Sequence, residues 1–476
     1  MSLIDSLDLR KKKPEKSVLS YDSSADWRTH GTWSGNLVDI NDEISDSFDK
    51  TLYRIRDLSK NYAHFKNIVR LSMDYIINAG IKFKMNLKGD DGKFLKDLNR
   101  KIELEFEYWA KPQNIDFSGR LHLNDMMRLA KRQEAQSGNY FYIRRIDKKR
   151  RIPVCYQAVD VSMLSQSKIA DNIVNGVEYE KSTGRIIRYH FEDSDYNQFS
   201  VKADDVIHGF ETVQPGQVLG ISDLTDIVML GDSIKDILNS DLDRKALQGK
   251  ILAFVKSTNS YRRQMGLDKD LTTNRKIEEF ESAMIKYLNP GEEITLSEPP
   301  ATGDIESFIK VMLQMLSVGS GFPYELTSGD YGNMSFSTAR VIRLDLQHRL
   351  QPIQDRFVRQ FCEPIAMDFL KYGVLSGNLD ITDFFTDPIK YYGAIQWVLP
   401  KMPPLDSLKE AKASTEGMKT GVLPLQKVLD DNGVGDIEDV IGQYDEAMKL
   451  FSDIGIDLMS AWGSASTQMQ NNPAAV

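Results

Sequence analysis

Between Asp49 and Ala79, Leu52, Ile55, Leu58, Tyr62, Phe65, Val69 and Ile76 recur at steps of three, four or seven, the period of an amphipathic helix. Gly80 supplies its stop. Short β-like runs follow in IKFKMNL with a turn at GDDG, and Phe94–Trp109 returns to helical spacing through Leu95, Leu98, Ile102 and Phe106. Asn124–Gln136 reads as another helix, halted by Ser137-Gly138. Asn139–Ile146 (NYFYIRRI) then gathers the aromatic and β-branched residues that favour strands. From there to Phe210 the pattern is strand and turn, with strands at Ile152–Ala158, Gly176–Tyr179, Ile186–Phe191 and Asp205–Phe210 and a Ser182-Thr183-Gly184 turn.

After Gln214-Pro215-Gly216 the character changes. Ser222 is placed to cap a long helix that carries Asp223 and Asp226 in its first turn, points Leu224, Ile227, Ile234, Leu238 and Leu242 inward, and runs to Gly249. A small α/β unit comes next: strand Ile251–Lys256, helix Thr273–Tyr287, the Asn289-Pro290-Gly291 turn and strand Glu293–Ser297. Helix Ile305–Val318 stops at Gly319-Ser320-Gly321, and the polar stretch Tyr324–Ser335 reads as a loop. Ser337 then caps a helix that repeats Ile342, Leu346, Leu350, Ile353, Phe357, Phe361, Ile365 and Phe369 as far as Tyr372, with kinks expected at Pro352 and Pro364. Past Trp397 and Pro403-Pro404, short helices continue to Met459. The polar start, with its basic run Arg10–Lys13 and the anchors Trp27 and Trp33, reads as an arm, and GSASTQMQNNPAAV as a disordered end. The fold class is α+β, with no internal repeat.

Composition narrows the classes. The 476 residues give room for about three domains at roughly 150 each, and 41% hydrophobic with 27% charged residues is the balance of a globular chain. Apolar runs are short, Ile251–Val255 being typical, so neither a membrane span nor an export signal is expected. Two distant cysteines, Cys155 and Cys362, argue against a disulfide framework and for a reducing compartment. With 60 Lys and Arg against 69 Asp and Glu, the net charge of −9 speaks against a protein that grips DNA by neutralising phosphates over its whole surface. No G-x-x-x-x-G-K-[ST] cradle for phosphates occurs, and the six histidines, His30, His64, His122, His190, His208 and His348, are scattered without ligand spacing. Neither a cofactor nor a metal is expected. The acid–base cluster open to consideration is Asp204, Asp205, His208 and Glu211, which would suit a DNA-processing nuclease; a hydrogen-bonded histidine at a strand end is the simpler reading. Asp430–Asp457 carries nine acidic residues against Lys449 alone.

Several segments in one order point further. Gly138-Asn139-Tyr140-Phe141, Thr183-Gly184-Arg185 to Tyr189, Asp205-Val-Ile-His208, and Gln214-Pro215-Gly216-Gln217 to Gly220-Ile-Ser222 resemble the portal proteins of lambda-like tailed bacteriophages. Phe322-Pro323-Tyr324-Glu325-Leu326, SFSTAR at Ser335–Arg340, Trp397 to Pro400, and Asp406 to Ala411 ahead of Gly417–Gly421 continue the resemblance over roughly residues 45–450. It departs at Val213, where the family has an arginine, and at Asp406-Ser407-Leu408-Lys409-Glu410, where it has Asp-Pro-Lys-Glu.

The resemblance implies a portal fold with α/β wing, helical stem, small α/β clip and helical crown, assembling as a dodecameric ring without enzymatic activity. Mapped onto this chain it divides 1–44 (arm), 45–222 (wing), 223–250 (first stem helix), 251–303 (clip), 304–321 (second stem helix), 322–336 (tunnel loop), 337–403 (kinked helix and wing return), 404–459 (crown) and 460–476 (tail). Implied partners are double-stranded DNA, the terminase large subunit, major capsid and scaffold proteins and a head-completion protein, with no membrane, in a virion assembled in the host cytoplasm. The tunnel loop would meet DNA through Thr327, Ser328, Asp330, Tyr331, Asn333 and Met334, and the clip would dock the terminase through Arg262, Arg263 and Lys269. A tail or baseplate ring adaptor is the alternative in which the order of stem, clip and loop would be lost.

Overall fold

The computed structural model describes residues 39–89, 92–166, 170–193, 195–248, 253–257, 292–296, 305–332, 334–400, 402, 406–431 and 437–453. The first helix, α1 (Ile40–Asn61), starts earlier than the heptad-like spacing shows because the Asp39 carboxylate accepts the Asn41 N–H at 2.8 Å. Ile40 and Ile44, assigned above to the arm, are therefore helical and buried. α2 (Ala63–Ile76) follows after one extended residue, Tyr62. The long helix read from the pattern is thus two. A single extended residue leaves Leu58, Tyr62, Phe65 and Val69 all buried, so the spacing carries no trace of the break.

The two strands farthest apart in sequence are paired. β1 (Lys82–Met85) runs antiparallel to a strand near the chain's end, and Phe83 stacks on Phe106 of α3 (Lys96–Trp109) with centroids 4.2 Å apart. The short α4 (Pro112–Ile115) leads to α5 (Leu123–Ser137), which Gly138 ends in the left-handed conformation at φ 77°. β2 (Asn139–Ile146) lies between β3 (Val154–Val159) and β8 (Val206–Phe210), all antiparallel. Four further strands, β4 (Ile173–Val174), β5 (Val177–Tyr179), β6 (Ile186–Glu192) and β7 (Gln198–Lys202), form a second sheet in chain order. β4 and β7 escape sequence reading because their alternation is short and their faces half-exposed.

Ser222 accepts the Leu224 N–H at 3.1 Å but is not the helix cap expected of it: a tighter turn over Thr225–Ile227, whose cap position is Leu224, comes before α6 (Val228–Gln248). β9 (Ala253–Ser257) and β10 (Glu292–Leu296) pair antiparallel. The expected helix Thr273–Tyr287, Trp27, Trp33, the arm before residue 39 and the tail lie outside the described residues. α7 (Ile305–Ser320) packs on the Thr225–Ile227 turn so closely that a Cβ on Gly319 would overlap Ile227.

α8 (Tyr324–Ser328) precedes α9 (Phe336–Phe357), whose cap is Ser335 rather than Ser337: its Oγ accepts the Thr338 N–H at 3.1 Å. Pro352 sits inside α9. Pro364 cannot donate to the Gln360 carbonyl, and the helix widens to π spacing over Val358–Cys362 just before α10 (Glu363–Leu375). Last among the described elements come α11 (Pro388–Tyr392), β11 (Ile395–Val398), which is the partner of β1, and three helices, α12 (Ser407–Lys419), α13 (Leu425–Asp431) and α14 (Ile437–Asp453).

Two cores result. The larger joins α2, α3, α5, α9 and α10 around Phe65, Trp109, Phe106, Phe361 and Phe369; the smaller joins the start of α1 to β2, β5 and β6 around Phe141, Val177, Phe191 and Leu219. No described helix is long and apolar enough to cross a membrane.

Candidate functional site

The segment between α7 and α9 is built in two unlike halves. Its first half is the helix α8, not the loop that its polar composition suggests, and it is clamped from below. Asn67 on α2 donates from Nδ2 to the carbonyls of Leu326 and Thr327 at 2.8 and 3.2 Å. Thr327 is 3% exposed, donates to the Tyr324 carbonyl at 3.0 Å and shares a hydrogen bond with the Ser317 hydroxyl of α7. It is therefore not a surface contact residue, which corrects the expectation above: its methyl and hydroxyl are spent on packing α8 against α7. Ser328 is half-buried and bonds back to the Tyr324 carbonyl at 2.7 Å.

The second half is the exposed tip. Gly329 ends α8 at φ 76°, a left-handed position that an L side chain would strain. Beyond it Asp330 folds the tip on itself, its carboxylate accepting the Gly332 N–H at 3.1 Å while its own N–H donates to Ser328 Oγ. Tyr331 stands 54% exposed, and Met334 is half-buried, donating its N–H to the Tyr331 carbonyl at 3.2 Å. Asn333 lies outside the described residues, as do Arg262, Arg263 and Lys269 of the expected clip site. Of the six expected loop contacts, the structure thus gathers Asp330, Tyr331 and Met334 on the tip and leaves Thr327 and Ser328 in its footing.

Elsewhere in the fold lies a buried polar junction that sequence reading did not assemble. Asn139, fully buried, accepts the Gly220 N–H at 2.6 Å and donates to the carbonyls of Ser137 and Gly220. His208 Nε2 donates to the same Asn139 oxygen at 3.1 Å, and its Nδ1 accepts from the Tyr189 hydroxyl at 3.0 Å. The imidazole is stacked between Phe141 and Phe210, and this desolvation pulls its pKa down to about 3, so it is neutral. Asp205 instead pairs with Arg144, and Glu211 with Arg356. The acid–base quartet considered above is therefore parted among three separate sets of partners. Among the described residues no group of three or more His, Cys, Asp or Glu side chains could hold a metal ion.

The same junction brings the SGNYF segment, the DVIH segment and the QPGQVLGIS segment into direct hydrogen bonding, although the first and last are 81 residues apart. The family model for phage portal proteins of the lambda family matches residues 27–354. The chain belongs to this family. A probable portal protein of Halomonas phage phiHAP-1 is 22% identical over 452 residues, covering 90% of this chain and 86% of that protein. Among solved structures, chains from the neck of an empty gene transfer agent particle and from the neck of a native one are similar, each at 12% identity and a TM-score of 0.44. They cover 85% and 82% of this chain, and 97% and 94% of their own. In this portal chain the buried junction ties the three segments together, while Tyr331 on the tip is exposed.

Proposed function

We propose that the protein forms a ring of twelve copies at one capsid vertex and that this ring is the channel through which DNA is packaged, retained and ejected. The observation that carries the ring is α7. Its inner face is buried through Met312 and Leu316, yet Phe308, Val311, Met315 and Val318 on the adjoining face are 53–79% exposed. A helix apolar on both faces needs a second cover, and a second copy supplies it by a head-to-tail contact, the type that closes rings around a hole. DNA in that hole must slide, so a wall without dense cations suits it, since each phosphate–cation pair would hold it back. The chain's net −9 fits that requirement.

In this reading α6 and α7 are the stem, 251–303 the clip that docks the terminase large subunit and later the head-completion protein, 404–459 the crown, and the wing the surface for major capsid and scaffold proteins. The tip beyond Gly329 reaches DNA. The subunit number follows the portal family. The test is Met315→Glu, which places a charge in the middle of the α7 stripe: native mass spectrometry and negative-stain images show rings for the wild type and single chains for the variant. A wild type that stays monomeric at micromolar concentration overturns the reading.

A further inference from the structure

One arginine pins the end of the β2–β3 hairpin to α4 and the turn after it. Arg150 donates from Nη1 to the carbonyls of Asn114 and Asp116 at 2.7 and 2.8 Å and from Nη2 to that of Phe117 at 3.2 Å, and it pairs with Asp147 at 3.2 Å. Its neighbour Arg151 pairs with Glu105 of α3 at 2.6 Å and lies 6.0 Å from the centre of the Tyr108 ring, with Lys111 5.3 Å from the same ring. Arg145 of β2 stands 5.9 Å from the centre of the Phe117 ring. Tyr108, Phe117 and Leu104, the last one turn before Tyr108 on α3, are all exposed. Hairpin, helix and turn thus present one continuous surface on which cations alternate with apolar groups.

The charge on this surface is uneven. Glu105 and Asp147 are taken by Arg151 and Arg150, and the Asp116 carboxylate is turned inward, accepting from Ser118 Oγ and the N–H groups of Arg120 and Leu121. Lys111, Arg145, Lys148 and Lys149 make no ion pair among the described residues, with the exposed Glu107 set against them. The local surplus is therefore positive in a chain of net −9. Its place in the fold is fixed by Asn378, which follows α10 and donates to the Arg151 carbonyl at 2.7 Å. The helical path from α9 through the π turn to α10 begins at Ser335, beside the exposed tip, and runs for roughly 60 Å at about 1.5 Å per residue. Surface and tip stand at its opposite ends.

We propose that this surface docks a carboxylate-rich segment of another protein, its apolar side chains on Tyr108, Phe117 and Leu104 and its carboxylates on Lys111, Lys148 and Lys149. Charge complementarity sets the sign of the partner. The apolar groups set its kind, because a DNA backbone answers cations with phosphates and leaves the three apolar side chains uncovered. Cations already held at the rings, on a hairpin already pinned by Arg150, leave little to order on contact. The acidic 430–457 segment of a second copy has the right charge but belongs to the other end of the helical path, since α12 opens with Lys409 over the Phe336 ring at 5.8 Å. The placement rests on the ring reading above: the tip end faces the channel, this end faces the outer rim, and the partner is a protein that surrounds the ring.

Two experiments on the full chain test it. In fluorescence anisotropy with a labelled peptide of repeated Glu-Glu-Leu-Phe units, the wild type binds, and Lys148→Glu with Lys149→Glu weakens binding at least about tenfold at an unchanged melting temperature. Lys50→Glu with Lys60→Glu, on the exposed side of α1, leaves binding within about twofold, and Phe117→Ala weakens it without altering its salt dependence. A labelled DNA duplex of equal charge binds more weakly than the peptide. Independently, a photo-crosslinking p-benzoylphenylalanine in place of Lys148, irradiated in assembled heads, joins a peptide of a different protein in which Asp and Glu outnumber Lys and Arg. A peptide that the wild type does not bind, binding unmoved by the double reversal, a duplex held as tightly, or crosslinks to DNA or to another copy of this chain overturn the docking surface. A wild type that binds the peptide but never forms rings overturns the ring reading instead and leaves the docking surface standing.

Discussion

Asn139 uses all of its hydrogen-bonding capacity in one place: two acceptor positions for Gly220 and His208, two donors for Ser137 and Gly220. It holds the strand entering the wing sheet to the turn leaving it. Truncation by Asn139→Ala strands at least three buried partners, and thermal or urea unfolding should register a loss of about 2–4 kcal/mol. His208 leans on the same oxygen, and its folded pKa of about 3 lies below the ordinary 6.5. The unfolded chain takes up a proton below pH 6.5 while the folded one does not. The stability that His208 lends is therefore complete above pH 6.5 and is lost as the pH falls from 6.5 towards 3, by up to about 1.4 kcal/mol per pH unit. His208→Gln removes that titration. Its melting temperature should fall less steeply than the wild type's between pH 6.5 and 4.5, and parallel curves would show the imidazole to be solvated and ordinary.

The α8 element divides the 322–336 segment, the proposed tunnel loop, into footing and tip, and the two should answer differently to mutation. Asn67→Ala frees α8 from α2 and should speed hydrogen exchange over 326–332, detectable by mass spectrometry, with rings unchanged. Shortening the tip by residues 329–333 should leave both rings and terminase docking intact yet lower the DNA packaged or retained per head; normal heads from that variant would make the tip a passive connection. Sequence alone located this segment by the glycines at 319, 321 and 329, and it located β2 to the residue, since NYFYIRRI has no competing period. It could not see that Tyr324–Ser328 is helical, because the stabilising partners are the amide of Asn67 and the hydroxyl of Ser317, neither of them local to that turn. The pairing of β1 with β11 was hidden for the same reason: the register Phe83 to Trp397 is fixed by a cluster with Phe106 and Phe369 contributed by four distant elements. The acid–base quartet illustrates the converse, residues near in sequence that the fold turns to separate partners, with His208 the hydrogen-bonded strand histidine of the simpler reading.

At the scale of the whole molecule the charge is distributed rather than uniform. Residues 430–457 are acidic, with nine carboxylates against one lysine, whereas 251–303, the proposed clip, carries nearly balanced charge with Arg262 and Arg263 side by side. A ring that lets DNA slip needs its binding energy for protein partners placed away from the passing phosphates. If 251–303 is the proposed clip, its arginine pair would meet that need, because bidentate guanidinium contacts to carboxylates are short-ranged and add specificity as well as attraction. Under the proposed function that pair would face an acidic surface of the terminase. Reversing both residues, Arg262→Glu with Arg263→Glu, sets like charges at that contact and should abolish terminase binding in a pull-down with assembled rings, while negative-stain images of the rings stay unchanged. The single Lys269→Glu change should weaken binding less and make it more sensitive to salt, as expected of a flexible point charge at a contact's rim. Full terminase binding by the double variant would move the docking surface off the clip.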